Sequence, residues 1–150
     1  MSVSASIARI CNAYNVSPQF VVDRRELQPI LGKLSLPIPT DLLEYLDCCI
    51  PTESYGNPNI AEFHSLDWLI KENRDYVPGG DAIEENLLSI AKDCSGNQYA
   101  YSLDDGGIYW LVLGDHPTIA DRKKYPPSYE SLESFLDSVL DDICNQDRDG

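Results

Sequence analysis

His64 and His116 are the only histidines, and imidazole is the side chain best suited to acid–base work or metal binding near neutral pH. Asp115-His116 with Asp121 could form such a cluster, and a small hydrolase using His116 and nearby acids is the enzymatic alternative to consider. The chain has no H-x-x-x-H or H-E-x-x-H spacing, which would set two imidazoles on one helical face, and His116 runs straight into Pro117. His64, beside a predicted strand, reads as a structural histidine. Glycoside hydrolysis needs two carboxyls roughly 5–10 Å apart across a cleft. Glu84-Glu85 and Asp104-Asp105 are adjacent pairs, which a strand would point to opposite faces, and the second pair lies in a turn. Both pairs read as solvated loop acids.

Other motifs stop short of a site. Asn145-x-Asp147-x-Asp149-Gly150 copies the first half of a calcium loop but lacks the bidentate acid of the twelfth position, so residues 145–150 are expected to be a frayed acidic tail. Glycines never form G-x-G-x-x-G, a P-loop or G-x-S-x-G. Arg122-Lys123-Lys124 is a short basic run in a loop. Cys11, Cys48, Cys49, Cys94 and Cys144 are odd in number, scattered and without C-x-x-C, the pattern of buried thiols in a cytoplasmic protein. No catalytic residue, metal site or cofactor is expected, and the protein reads as a non-enzyme.

The elements that would carry any site follow from periodicity. Val3, Ile7, Ile10, Cys11 and Tyr14 recur at helical spacing. Asp23 and Glu26 form a capping box ahead of Leu27, Ile30, Leu31 and Leu34, with Pro29 bending or shortening that helix. Residues 40–49 place Leu42, Leu43 and Leu46 opposite Asp41, Glu44 and Asp47, a third helix after Pro39. Residues 51–58 read as a loop, 60–63 as a short strand, 65–74 as a helix capped by Ser65, and 76–81 as a second loop. Strands at 87–93, 98–103 and 108–113, joined by Cys94-Ser95-Gly96-Asn97 and Asp104-Asp105-Gly106-Gly107, make an antiparallel meander. Leu132, Phe135, Leu136, Val139, Leu140 and Ile143 stripe a last helix with Ser128 as its cap candidate. Helices, meander, helix is the order of an α+β domain, one antiparallel sheet covered by helices.

The chain has 150 residues, the length of a single domain, with 25 acids against 11 bases and a formal charge of −14. The excess excludes nucleic acid and anionic membrane as direct ligands, because each phosphate contact needs a Lys or Arg. Residues 76–150 hold 15 of the acids against 5 bases. No run is apolar enough to span a membrane; 108–113 is the longest. Tyr99 and Tyr101 share one strand face, as Ile108 and Trp110 do on the next, and that row is either core or an interface beside the acidic field.

Ile38-Pro39-Thr40-Asp41-Leu42-Leu43-Glu44-Tyr45-Leu46 resembles the "[IL]-P-x-D-hydrophobic-x-x-aromatic-L" helix start of the SUKH superfamily of Smi/Knr-like proteins. Glu26 is placed like that family's acidic position upstream. The meander with Gly96-Asn97, 104–107 and Ile108-Tyr109-Trp110 is similar to the family's strand–G–strand–D-x-x-G–"V-Y-x-W" pattern, and 129–136 to its "S-F-x-E-F-L" helix. Cys48-Cys49-Ile50-Pro51 departs from the usual N-G-G, and residues 1–25 lie outside the pattern as a less family-like helical extension of the 1–150 domain. The resemblance implies a Smi/Knr-like fold and a protein-binding role. That role is an immunity protein neutralising a cognate polymorphic toxin, often a nuclease, in the bacterial cytoplasm, or else a regulatory scaffold with a housekeeping partner. A toxin with a basic surface would meet the acids of the last helix, Glu130, Glu133, Asp137 and Asp141, and of the hairpin turn, Asp104 and Asp105. The expected assembly is a monomer or weak homo-oligomer.

Overall fold

The computed structural model describes residues 2–16, 23–51, 53–57, 59–76, 78–112 and 126–149. Helix α1 (Val3–Ala13) begins where the Ser2 side chain accepts from the Ala5 N–H, satisfying one of the unpaired donors of a helix N-terminus. Val3, Ile7, Ile10 and Cys11 fall on its inner face and are buried. They pack α1 against the last helix and against α3, so this segment is part of the core. Helix α2 (Arg24–Leu31) is capped by Asp23 as expected, but its carboxylate accepts from the Arg25 N–H, while the Glu26 N–H donates to the Asp23 backbone carbonyl. Pro29 lies inside it, and the helix is short, eight residues ending at Gly32.

Helix α3 (Thr40–Cys48) starts at Pro39, whose extended backbone turns the chain into the helix, and Asp41 in the first turn complements the helix dipole. Leu42, Tyr45 and Leu46 are its buried side, while Leu43 is half-buried. Ser4 of α1 donates to the Glu44 carboxylate from its N–H and its hydroxyl, tying α1 to α3.

Five antiparallel strands run in sequence order: β1 (Tyr55–Asn57), β2 (Ala61–Phe63), β3 (Leu87–Lys92), β4 (Gln98–Ser102) and β5 (Ile108–Leu111). The meander of β3, β4 and β5 is the expected one. Strand β1 corrects the loop reading of 51–58, and its cause is tertiary. Tyr55 is buried and stacks on Phe63 at 5.3 Å, and Gly56 allows the close pairing. Gly56 has φ of 129°, and a Cβ there would lie 2.3 Å from the Ala61 carbonyl oxygen, so glycine is required.

Directly opposed residues share a face of an antiparallel sheet. Tyr99 opposes Trp110 and Tyr101 opposes Ile108, so one face carries this row, and α6 (Leu132–Asp149) covers it through Phe135, 5.0 Å from Tyr99 and 6.0 Å from Phe63. Ala100 and Tyr109, with Leu87 and Leu111, lie on the other face with Ala82, under α4 (Leu66–Arg74) and α5 (Gly79–Ala82). Ser65 caps α4 as expected. Helix α5 replaces part of the loop read over 76–81, and a 3₁₀ turn, Ile83–Glu85, follows it.

Helix α6 is capped by Ser131, not Ser128: the Ser131 hydroxyl accepts from the Ser134 N–H while the Ser134 hydroxyl accepts from the Ser131 N–H. It continues to Asp149, into the stretch read as a tail. The α+β architecture, a meander covered by helices, is therefore the one the residue pattern indicates.

Candidate partner-binding surface

The amphipathic pattern that buries Leu132, Phe135, Leu136 and Val139 turns Glu133, Asp137 and Asp141 outward, four residues apart along one line of α6. All three are exposed, as is Glu130 just before the helix. Tyr129 forms a bridge to Ile108, which sets the 126–130 segment alongside the edge of the meander. A Cβ on Gly107 would lie 2.7 Å from Pro127, so the β4–β5 turn touches this segment. The turn acids and Glu130 are thereby brought to one end of the sheet, and the α6 acids lead away from it.

The two turn acids are not equivalent. Asp104 and Asp105 are both exposed, but the Asp105 carboxylate accepts from the Gly107 N–H at 2.8 Å and from the Tyr109 hydroxyl. It closes the hairpin. Burial and then this bond push the Tyr109 phenol up to about 12. Below the same turn the Tyr101 hydroxyl donates to Asp41, fastening the start of α3 to β4, and burial followed by that bond raises the Tyr101 phenol well above its ordinary value. Tyr101→Phe keeps the packing and removes the bond, so it is expected to cost about 1–2 kcal/mol in urea unfolding. An unchanged midpoint would mean that Asp41 is equally well served by water.

At the opposite end of the meander, the β3–β4 turn is built on Asp93. Its carboxylate accepts from the N–H groups of Ser95 and Asn97, from the Asn97 side chain and, at 3.0 Å, from the Trp110 indole. Partial burial opposes the charge, but the hydrogen bonds from Asn97, Ser95 and Trp110 outweigh it and hold Asp93 below the usual carboxylate range. Trp110 itself is 41% exposed, while Tyr101 and Ile108 of the same row are buried and Tyr99 is half-buried. The aromatic row is thus core along most of its length and surface at one end. A second exposed pair, Trp68 (40%) and Tyr76 (48%), stacks on α4 with Lys71 and Lys92 over the indole, 5.2 and 5.5 Å from its centroid.

His64 is a structural histidine, as read: it is buried, with Nε2 2.8 Å from Gln98 Oε1 and 3.3 Å from Ser89 Oγ. Asn73 beside it donates to the Leu69 and Ser89 carbonyls and accepts from the Ser89 N–H, stitching α4 to β3. Glu84 and Glu85 are exposed on the 3₁₀ turn. Asp115, His116 and Asp121, the hydrolase cluster, lie outside the described residues, as does the run 122–124. Cys11 and Cys49 are buried free thiols, as expected, whereas Cys94 and Cys144 are exposed, which corrects the buried reading for these two. Among the described residues no three His, Cys, Asp or Glu side chains are grouped to hold a metal ion, and no helix is long and apolar enough to cross a membrane.

The family model of SMI1 / KNR4 (SUKH-1) matches residues 22–138, which takes in α2 to α5, the whole sheet and the first part of α6. Comparison with curated proteins and with solved structures gives no match.

Proposed function

Because the chain belongs to the SMI1 / KNR4 family (SUKH-1), we propose that it is a non-enzymatic, immunity-type protein that neutralises a cognate toxin by covering the toxin's basic surface. The observation that carries this reading is the line of exposed acids Glu133, Asp137 and Asp141 on α6, on a chain of formal charge −14. A nuclease attracts nucleic acid with a basic cleft, and carboxylates on a rigid helix compete for that cleft as phosphate mimics. They also raise the association rate by long-range steering. Glu130 and Asp104 extend the acidic surface at the end of the sheet, while Asp105 serves chiefly to hold the turn. The protein and its target meet in the bacterial cytoplasm in this reading, with no nucleic acid or membrane bound directly.

Co-expression with the toxin gene adjacent to this chain's own gene tests the reading. Growth should be rescued and a stable complex should elute on gel filtration. No rescue together with no complex rejects the immunity role and leaves the regulatory scaffold. Reversing three acids (Glu133→Lys, Asp137→Lys, Asp141→Lys) changes the formal charge from −14 to −8, six units. It should slow association by about tenfold and flatten its salt dependence. Unchanged kinetics would move the interface off α6.

A further inference from the structure

Resting on the reading of α6 as an interaction surface, we propose that the Trp68–Tyr76 patch of α4 docks onto the Asp137–Asp141 line of α6 in a second copy of this chain, covering the toxin-facing helix of the free protein. Among the described residues four large apolar side chains are exposed, and two of them, Trp68 at 40% and Tyr76 at 48%, are stacked together here. Stacking fixes both rings, so little side-chain freedom remains to be lost on docking. Lys71 and Lys92 hold their ammonium groups 5.2 and 5.5 Å from the centre of the same indole. Glu62 opposes Lys92 across the β2–β3 pair, and the buried Glu72 feels its charge. Among the described residues neither acid forms an ion pair with Lys92, and Lys71 has no ion-pair partner either. Both lysines therefore keep N–H donors for a carboxylate brought from outside.

The same chain carries the complement. Asp137 and Asp141 are exposed one helical turn apart, which sets their Cβ atoms about 5–6 Å from each other, a spacing that two ammonium groups around one ring can serve. Half-buried Leu140 borders that line and exposed Cys144 continues it, so the strip is apolar as well as acidic. Its apolar part meets the two rings and its carboxylates meet the two lysines. A formal charge of −14 on each copy opposes the pairing. At about 150 mM salt the Debye length is about 8 Å, so distant charges are screened while contacting ones are not. The result is weak association, with a Kd on the order of 100 µM. Because α6 covers one face of the sheet and α4 the other, each copy offers its patch to one neighbour and its α6 line to another. The contact is head-to-tail, and it competes with a toxin for the same acids.

Sedimentation velocity of the full chain without toxin, from about 10 µM to about 1 mM at that salt, tests the contact. The weight-average sedimentation coefficient should rise with concentration. Lys71→Glu with Lys92→Glu should abolish the rise, and so should Asp137→Lys with Asp141→Lys. Mixing those two double variants should restore association, because the reversed patch of one then faces the reversed line of the other. Trp68→Ala should weaken association by about tenfold and Trp110→Ala not at all. A parent that stays monomeric at every concentration, double variants that associate like the parent, or a mixture that stays monomeric would overturn the proposal. The two readings fail separately. Toxin rescue by a parent that never self-associates sinks the second-copy contact alone. Restored association between the double variants, with no toxin bound or neutralised by the parent, sinks the immunity role alone.

Discussion

Gly79→Ala is expected to destabilise the protein by about 3 kcal/mol or more, seen as a lower urea midpoint at unchanged slope. A Cβ on Gly79 would lie 2.0 Å from the Glu72 carbonyl oxygen and 2.9 Å from its carbon. Those atoms are helix backbone and cannot rotate aside as a side chain would. Relief requires α5 to move off α4, and α5 is the segment that seats Ala82 and Ile83, both fully buried, under the sheet. Gly80→Ala is the control: its Cβ would meet the Arg74 carbonyl group, the oxygen at 3.1 Å and the carbon at 3.5 Å, so a small shift suffices and the cost should stay at about 1 kcal/mol. A Gly79→Ala protein as stable as the Gly80→Ala one would show that α4 and α5 do not cross this closely.

Gly79 also marks where reading from residues reaches its limit. Pro78-Gly79-Gly80 looks the same whether glycine supplies a turn or permits two backbones to touch, and the second reason is visible only in three dimensions. Gly56 is the parallel case in the sheet. Short elements such as β1 and α5 have too few residues to show a period, and packing on Phe63 or on α4 decides them. The elements that were legible are those whose apolar spacing repeats: α1, α3, α6 and the central meander.

The site divides along the same line. Exposure of Glu133, Asp137 and Asp141 follows from helical spacing alone, because the opposite side of the helix must be buried. Asp93 carries no such signal, since it lies far from Trp110 in the chain and the strand register brings the two together. A local cue existed for Asp105: an acid two residues before Gly107 in a tight turn is a standard acceptor for a turn N–H, which argues for a structural role over a binding one.

Acidification from pH 6.5 to 4 should draw about 3 kcal/mol of stability out of the fold through His64 alone. The Gln98 side-chain N–H donates to the Gly96 carbonyl at 3.1 Å, which aims Gln98 Oε1 at His64 Nε2 and makes Nε2 the protonated nitrogen of a neutral ring. The Ser89 hydroxyl donates to the same Gln98 oxygen, so little acceptor capacity is left to welcome a cation. Burial lowers the His64 pKa from 6.5 to about 4, against the raising effect of the Gln98 bond and with a further push from Lys92. Above pH 6.5 the ring is neutral in folded and unfolded chains and contributes no slope. Below it the unfolded chain binds a proton that the folded chain refuses until about pH 4, so stability falls through that window. Glu72, buried and with its carboxyl raised by that burial against the pull of Lys92, gains a proton more readily in the folded state and offsets part of the loss. Asp93 weakens the fold only at lower pH, since its pKa is already below the usual 3.8. The difference between the parent and His64→Gln isolates the histidine, because glutamine keeps a donor for Gln98 and does not titrate. Urea midpoints measured from pH 7 to 4 should fall steeply for the parent and much less for His64→Gln. Parallel curves would show that the ring takes up its proton inside the folded protein.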